Sequence, residues 1–185
     1  MALAAAFHDL VVRLRHVAEC LQAVQVTVAE DVPASPETVL ADQFGNSTLD
    51  IRGLLAEAIG AAEEAESQVR DIDRCRCALA NCQLGFHQIA RRFASELVSY
   101  ERLADLSGLG RERRGEWLAW TGSVKQAIEE CRHPLDQAAD ALFECWQEIA
   151  ERAGMTSVSV RTTNVGQHFR GAGKLAHKGV SKGVS

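Results

Sequence analysis

Proline is scarce in this chain: three in 185 residues, at positions 33, 36 and 134. Nothing between Pro36 and Pro134 therefore forces a helix to break. Runs of 18 apolar residues are missing as well, which excludes a helix that crosses a membrane. The opening MALAAAFHDLVVRLRH has no basic leading region and is interrupted by His8, Asp9 and Arg13. It reads as the first turns of a helix, not as a secretory signal. No G-x-S-x-G, P-loop, strand-linked G-x-G-x-x-G or H-E-x-x-H occurs, so no catalytic motif announces an enzyme. Acidic residues are missing too, from one end only: none follows Glu151.

What is present is helix-forming. Apolar residues make up 46% of the chain, a proportion that argues for a packed soluble protein and not a disordered one. Alanine, Leu, Glu, Gln and Arg dominate residues 1–153. Six cysteines (Cys20, Cys75, Cys77, Cys82, Cys131 and Cys145) lack a secretory context and are expected as reduced thiols in a cytoplasmic protein. The sequon Asn46-Ser47-Thr48 is then only a loop and helix start.

Leu3, Phe7, Leu10, Leu14, Val17, Leu21, Val24 and Val28 alternate steps of four and three, an a/d seam over residues 3–30. Two prolines close it, and 31–48 read as a connecting loop. Ser47-Thr-Leu-Asp50 reads as a capping box. From there Ile51, Ala58, Ala65, Ile72, Leu79, Phe86, Phe93 and Tyr100 recur every seven residues. Their companions are Leu55, Ala62, Val69, Arg76, Gln83, Ala90, Leu97 and Ala104. The pattern predicts one very long central helix over 49–106, with a bend or a polar layer at Arg76, Gln83 and Gly85. Two more helices are expected at 112–132 and 134–153, separated by Pro134 and stopped by Gly154. The fold class is all-α: an antiparallel, coiled-coil-like helical bundle spanning 1–154, followed by an extended segment and a basic tail over 155–185.

The tail divides in two. Residues 155–165 are β-branched and alternate Val158, Val160 and Thr162, a short-strand signature that would need another backbone to pair with. Beyond Gly166, Arg170, Lys174, Lys178 and Lys182 recur every four residues among glycines. Residues 1–151 carry 25 acids against 14 Lys and Arg, a formal charge of −11, so body and tail have opposite signs. The four tail cations are candidates for an anionic partner, such as nucleic acid, a lipid surface or an acidic protein body.

Three clusters invite chemistry. Cys75-Arg-Cys77-x4-Cys82-x4-His87 has metal-ligating residue types, but on a helix Cys77 points about 200° away from Cys75. A thiolate site would need Cys75 and Cys82 joined by Cys131 or Cys145 from another helix. Glu130-x-x-His133 is half of a di-iron helical pair, with no second copy in the chain. Arg111, Arg113, Arg114, Trp117 and Trp120 combine cations with large aromatics, the composition of an interaction surface or of a core with solvated arginines beside it. No cofactor is expected. The partner expected is another protein or a second copy of the chain, met through Trp117, Trp120, Arg113, Arg114, Val158 and Val160.

The stretch from Leu142 to Gln167, LFECWQEIAERAGMTSVSVRTTNVGQ, resembles the end of small helical proteins of high-GC actinobacteria. Those are similar to helical modules that accompany secreted or polymorphic toxin systems. Gly115-Glu-Trp117 has the residues of the Trp-x-Gly turn of the secreted class in reverse order. The resemblance implies a bacterial accessory or adaptor role and carries no catalytic position.

Overall fold

The computed structural model of the chain describes residues 3–30, 38–104 and 110–154. Within them lie five helices and no strand: α1 (Leu3–Ala29), α2 (Thr38–Ser67), α3 (Ile72–Ala104), α4 (Arg111–Glu130) and α5 (Arg132–Arg152). The strand expected around Val158 and Val160 falls outside the described residues, as do Arg170, Lys174, Lys178 and Lys182.

All eight residues of the first seam are buried, with Ala6 and Val11 beside them. Antiparallel pairs tie α1 to α2: Arg15 to Glu63 at 2.7 Å, His8 to Glu66 at 3.4 Å, and Arg52 donating to Gln25 at 2.7 Å. α1 also packs on α4 and α5, and α3 packs on α2, α4 and α5. Buried residues from all five helices join in a single apolar core.

The one long helix expected over 49–106 is two. The turn at Gln68–Asp71 reverses the chain, so that Ala65 faces Cys75 and Ala58 faces Gly85. Asp71 starts α3: its Oδ1 accepts the backbone N–H of Arg74 at 3.1 Å, satisfying a first-turn donor. Cys75 closes α2 from the other side. Its thiol donates to the carbonyls of Gln68 at 2.8 Å and Ala65 at 3.3 Å, and the Gln68 carbonyl also accepts the backbone N–H of Asp71 at 2.8 Å. The bend expected at Gly85 is a close approach instead. A Cβ there would lie 3.3 Å from Ala58 Cβ and 3.4 Å from the Leu54 carbonyl oxygen.

The companion seam departs from expectation at its two polar members. In α3 the expected companions Ala90 and Leu97 are buried with Leu79, Phe86, Phe93 and Tyr100, and Cys75, Ala78, Cys82, Ile89 and Glu96 are buried beside them. Arg76 is exposed and Gln83 half-buried, so the expected polar layer is replaced by thiols one residue earlier. α2 likewise begins earlier than expected, two residues after Pro36, which places Ser47–Asp50 inside a helix and not at its cap. Past Pro36 no residue blocks helix propagation, and a long helix absorbs the weak formers Asn46, Ser47 and Thr48.

The α4–α5 break is small. Cys131 keeps right-handed helical angles, φ −71° and ψ −15°, and its N–H turns to Ile128 O at 3.1 Å. Pro134 then sits in the first turn of α5, where its missing N–H costs nothing. Gly154 follows α5 at φ +65°, the left-handed conformation that favours glycine at a helix end.

Candidate functional site

The first turns of α4 separate the five residues that the sequence groups together. Trp117 and Trp120 lie three apart on the inward face and are 1% and 5% exposed. Arg111, Arg113 and Arg114 point to solvent. The indoles therefore anchor the core, while the guanidinium groups of Arg113 and Arg114 are available on the outside. Trp120 is the hub. It meets Trp117 edge-on at 5.1 Å between ring centroids and Tyr100 of α3 edge-on at 6.1 Å, an arrangement that sets ring edges against ring faces. Thr121 is buried beside them and donates its hydroxyl to the Trp117 carbonyl at 2.8 Å. The indole N–H groups of Trp117 and Trp120 are buried without a hydrogen-bond acceptor among the described residues. Buried donors are usually paired, so the region around these rings is incompletely satisfied.

Next to this cluster, at the end of α1, lies a surface cleft of about 480 Å³ lined by Thr27, Glu30, Glu116, Ala119, Trp120 and Ser123. Thr27 and Ser123 donate their hydroxyl hydrogens to the carbonyls of Ala23 and Ala119, at 3.0 Å and 3.2 Å. What the cleft offers is therefore acceptors: two carboxylates and two hydroxyl oxygens beside an indole. Nothing in the sequence could have joined these residues, because α1 and α4 are brought together only by packing. Leu118, 45% exposed, was readable: it falls off the inward face defined by Trp117, Trp120, Thr121 and Val124.

The cysteines sit as two pairs and two singles. Cys20 of α1 lies near Cys131 at the α4–α5 break, and Cys82 of α3 lies near Cys145 of α5. Cys75 is buried at the α2–α3 turn and Cys77 is exposed. The four candidates Cys75, Cys82, Cys131 and Cys145 thus serve different helix contacts. Among the described residues no three His, Cys, Asp or Glu side chains converge as a metal site would require. Burial pushes the thiols of Cys82, Cys131 and Cys145 up to about 12, and it raises Cys20 and Cys75 as well. Thiols held protonated in this way are poor nucleophiles and poor metal ligands at neutral pH. His133 is exposed, with its Nε2 2.9 Å from the Gln137 amide nitrogen.

No protein family, curated protein or solved structure matches the chain. No helix among the described residues is long and apolar enough to cross a membrane.

Proposed function

We propose that the chain is a non-enzymatic helical-bundle protein that acts through contact with another protein or a second copy of itself. The observation that carries this reading is the outer face of α4. There Arg111, Arg113, Arg114 and Leu118 are exposed directly behind two buried tryptophans. A rigid aromatic backing fixes the helix, and an Arg-rich face with an apolar residue has the composition that binding surfaces favour. The resemblance of residues 142–167 to actinobacterial helical modules points to a bacterial accessory or adaptor role, in the cytoplasm.

Light scattering coupled to size exclusion tests it, paired with affinity capture from a bacterial lysate. The triple variant R113E/R114E/L118E changes only exposed side chains and leaves the core intact. Loss of self-association or of a specific captured partner in this variant is the expected result. A wild-type monomer that retains nothing would sink the reading.

A second reading rests on the acid-free tail, whose cations Arg170, Lys174, Lys178 and Lys182 suit nucleic acid or an anionic membrane. It requires binding that falls steeply with salt and disappears when residues 166–185 are removed. Binding that ignores both changes would exclude it.

A further inference from the structure

Two thiols far apart in the sequence meet where α1 passes the α4–α5 break. α1 packs on both α4 and α5. It runs antiparallel to α5, with Asp9 near Cys145 toward one end and Cys20 near Cys131 toward the other. Cys131, the residue between the two helices, belongs to the core and is 1% exposed. Cys20 packs against that core but is only half-buried. The other close thiols, Cys82 and Cys145, are both buried. Cys75 is engaged with the backbone carbonyls of Gln68 and Ala65. Of the two cysteine pairs, Cys20–Cys131 is therefore the one with a member that solvent reaches.

Exposure gives the two thiols different parts. An oxidant arriving from solvent can touch Cys20 and not Cys131. Their surroundings agree with this division. Burial raises the Cys20 thiol, but the neighbouring Cys131 side chain works the other way, as a donor beside a thiolate does. Burial also raises Cys131, to about 12, and there Cys20 adds to the rise. Cys20 is thus the better nucleophile of the two, and Cys131 is placed to resolve whatever bond Cys20 first makes.

We propose that Cys20 and Cys131 are an oxidisable dithiol, which a small-molecule disulfide such as glutathione disulfide converts into a bond that clamps α1 to the α4–α5 break. The Cys20 thiolate attacks one sulfur of glutathione disulfide, giving a mixed disulfide and releasing one glutathione thiolate. Cys131, once deprotonated, attacks the Cys20 sulfur and releases the second glutathione. Two protein thiols lose two electrons and two protons, and one glutathione disulfide becomes two glutathione thiols. Scarce thiolate keeps both steps slow at neutral pH, so the pair answers sustained oxidation and not a brief pulse. The bond closes a loop of about 110 residues, and a cross-link across a long loop restricts the unfolded chain strongly. The clamp is independent of whether the α4 face binds a partner.

The test uses the full chain carrying C77S, which removes only the exposed thiol. The protein is equilibrated in glutathione buffers from fully reduced to fully oxidised, trapped by alkylation and mapped by mass spectrometry. A Cys20–Cys131 link is expected in the oxidised buffers and is reversed by reduced glutathione. The linked protein should melt about 5–15 °C above the reduced one. The variant C20S/C77S, which leaves the buried thiol in place, should gain neither the link nor the shift. Glutathione held on Cys20 without a link would show Cys131 out of reach and overturn the proposal. So would a Cys82–Cys145 link formed in its stead, a link that forms only in urea, a link that leaves the melting temperature unchanged, or thiols untouched in the oxidised buffer.

Discussion

Where α2 meets α3 the contact is made of alanine, glycine and thiol; where α3 meets α4 it is made of two indoles and a phenol. Ala58, Ala62 and Ala65 are fully buried against an α3 face that begins with Cys75, Leu79 and Cys82. At Gly85 the two helices come so close that one added carbon would touch both a side chain and the backbone of α2. At the other contact Tyr100, Trp117 and Trp120 hold the helices apart with ring edges, and a cleft opens beside them. Small residues leave no freedom and no unsatisfied groups. Large rings fill more volume each, but they leave indole N–H groups without acceptors.

The comparison breaks most sharply at Trp117. Its ring is enclosed on all sides, so Trp117→Ala is expected to cost about 3–5 kcal/mol, measured by urea denaturation. Trp120→Ala should cost less, since that ring borders the cleft and its loss merges with open space. Equal losses would mean that the cleft is not a real asymmetry between the two rings.

Alkaline pH weighs on the thiol side. Burial places the folded-state pKa of Cys82 and Cys145 near 12, above the ordinary thiol value of 9.0. The folded state then holds these protons more tightly than the unfolded chain does. Their contribution is complete below pH 9 and is lost as pH rises from about 9 toward 12, by at most about 1.4 kcal/mol per pH unit per thiol. Melting temperatures of the wild type should fall more steeply across this window than those of Cys82→Ala. Parallel curves would remove Cys82 from the account.

Gly85 comes next. Gly85→Val puts two methyl groups and a branch point where even a Cβ is tight, an overpacking penalty of about 1–3 kcal/mol. Gly53→Val, with open space around its Cβ position, serves as the control and should lose far less. Equal effects would show that helix propensity, and not close approach, sets the cost at Gly85.

Much of this arrangement was legible in advance, and the exceptions have a common cause. The α1 seam could be read residue by residue because one helix, with nothing interrupting it, imposes one period. The α2–α3 turn was hidden because Gln68–Asp71 fit within a seven-residue step, so Ala65 and Ile72 keep the heptad count across a reversal of direction. The signal that was available is local: Asp71 before Ile72 is an N-cap, and Asp71→Ala should cost about 1 kcal/mol, read from the same urea titrations. A negligible loss would mean that the Cys75 thiol alone holds the turn. Arg76 and Gln83 give way to Cys75 and Cys82 near that turn, while Ala90 and Leu97 further along α3 stay buried in the expected phase. The cleft was not legible at all. Thr27 and Ser123 are brought together by tertiary packing, which no period records.

The smallest effect tests whether the aromatic contact needs its polar rim. Lys125 of α4 reaches Glu101 of α3, the residue after Tyr100, at 2.7 Å, and both side chains are partly exposed. Such a pair gains little over hydrated charges, because water screens it and two long side chains lose freedom in forming it. Lys125→Met keeps an aliphatic stem and removes only the charge. The expected loss is about 0.5 kcal/mol at low salt, vanishing as salt rises. On the α1–α2 side, Arg15→Met removes the pair with Glu63 and should behave alike. If Lys125→Met instead costs as much as the loss of an aromatic ring, and salt does not relieve it, the ion pair is what positions Trp120. The α3–α4 contact would then be electrostatic in origin, and its contrast with the close-packed α2–α3 hairpin would lie in charge and not in side-chain size.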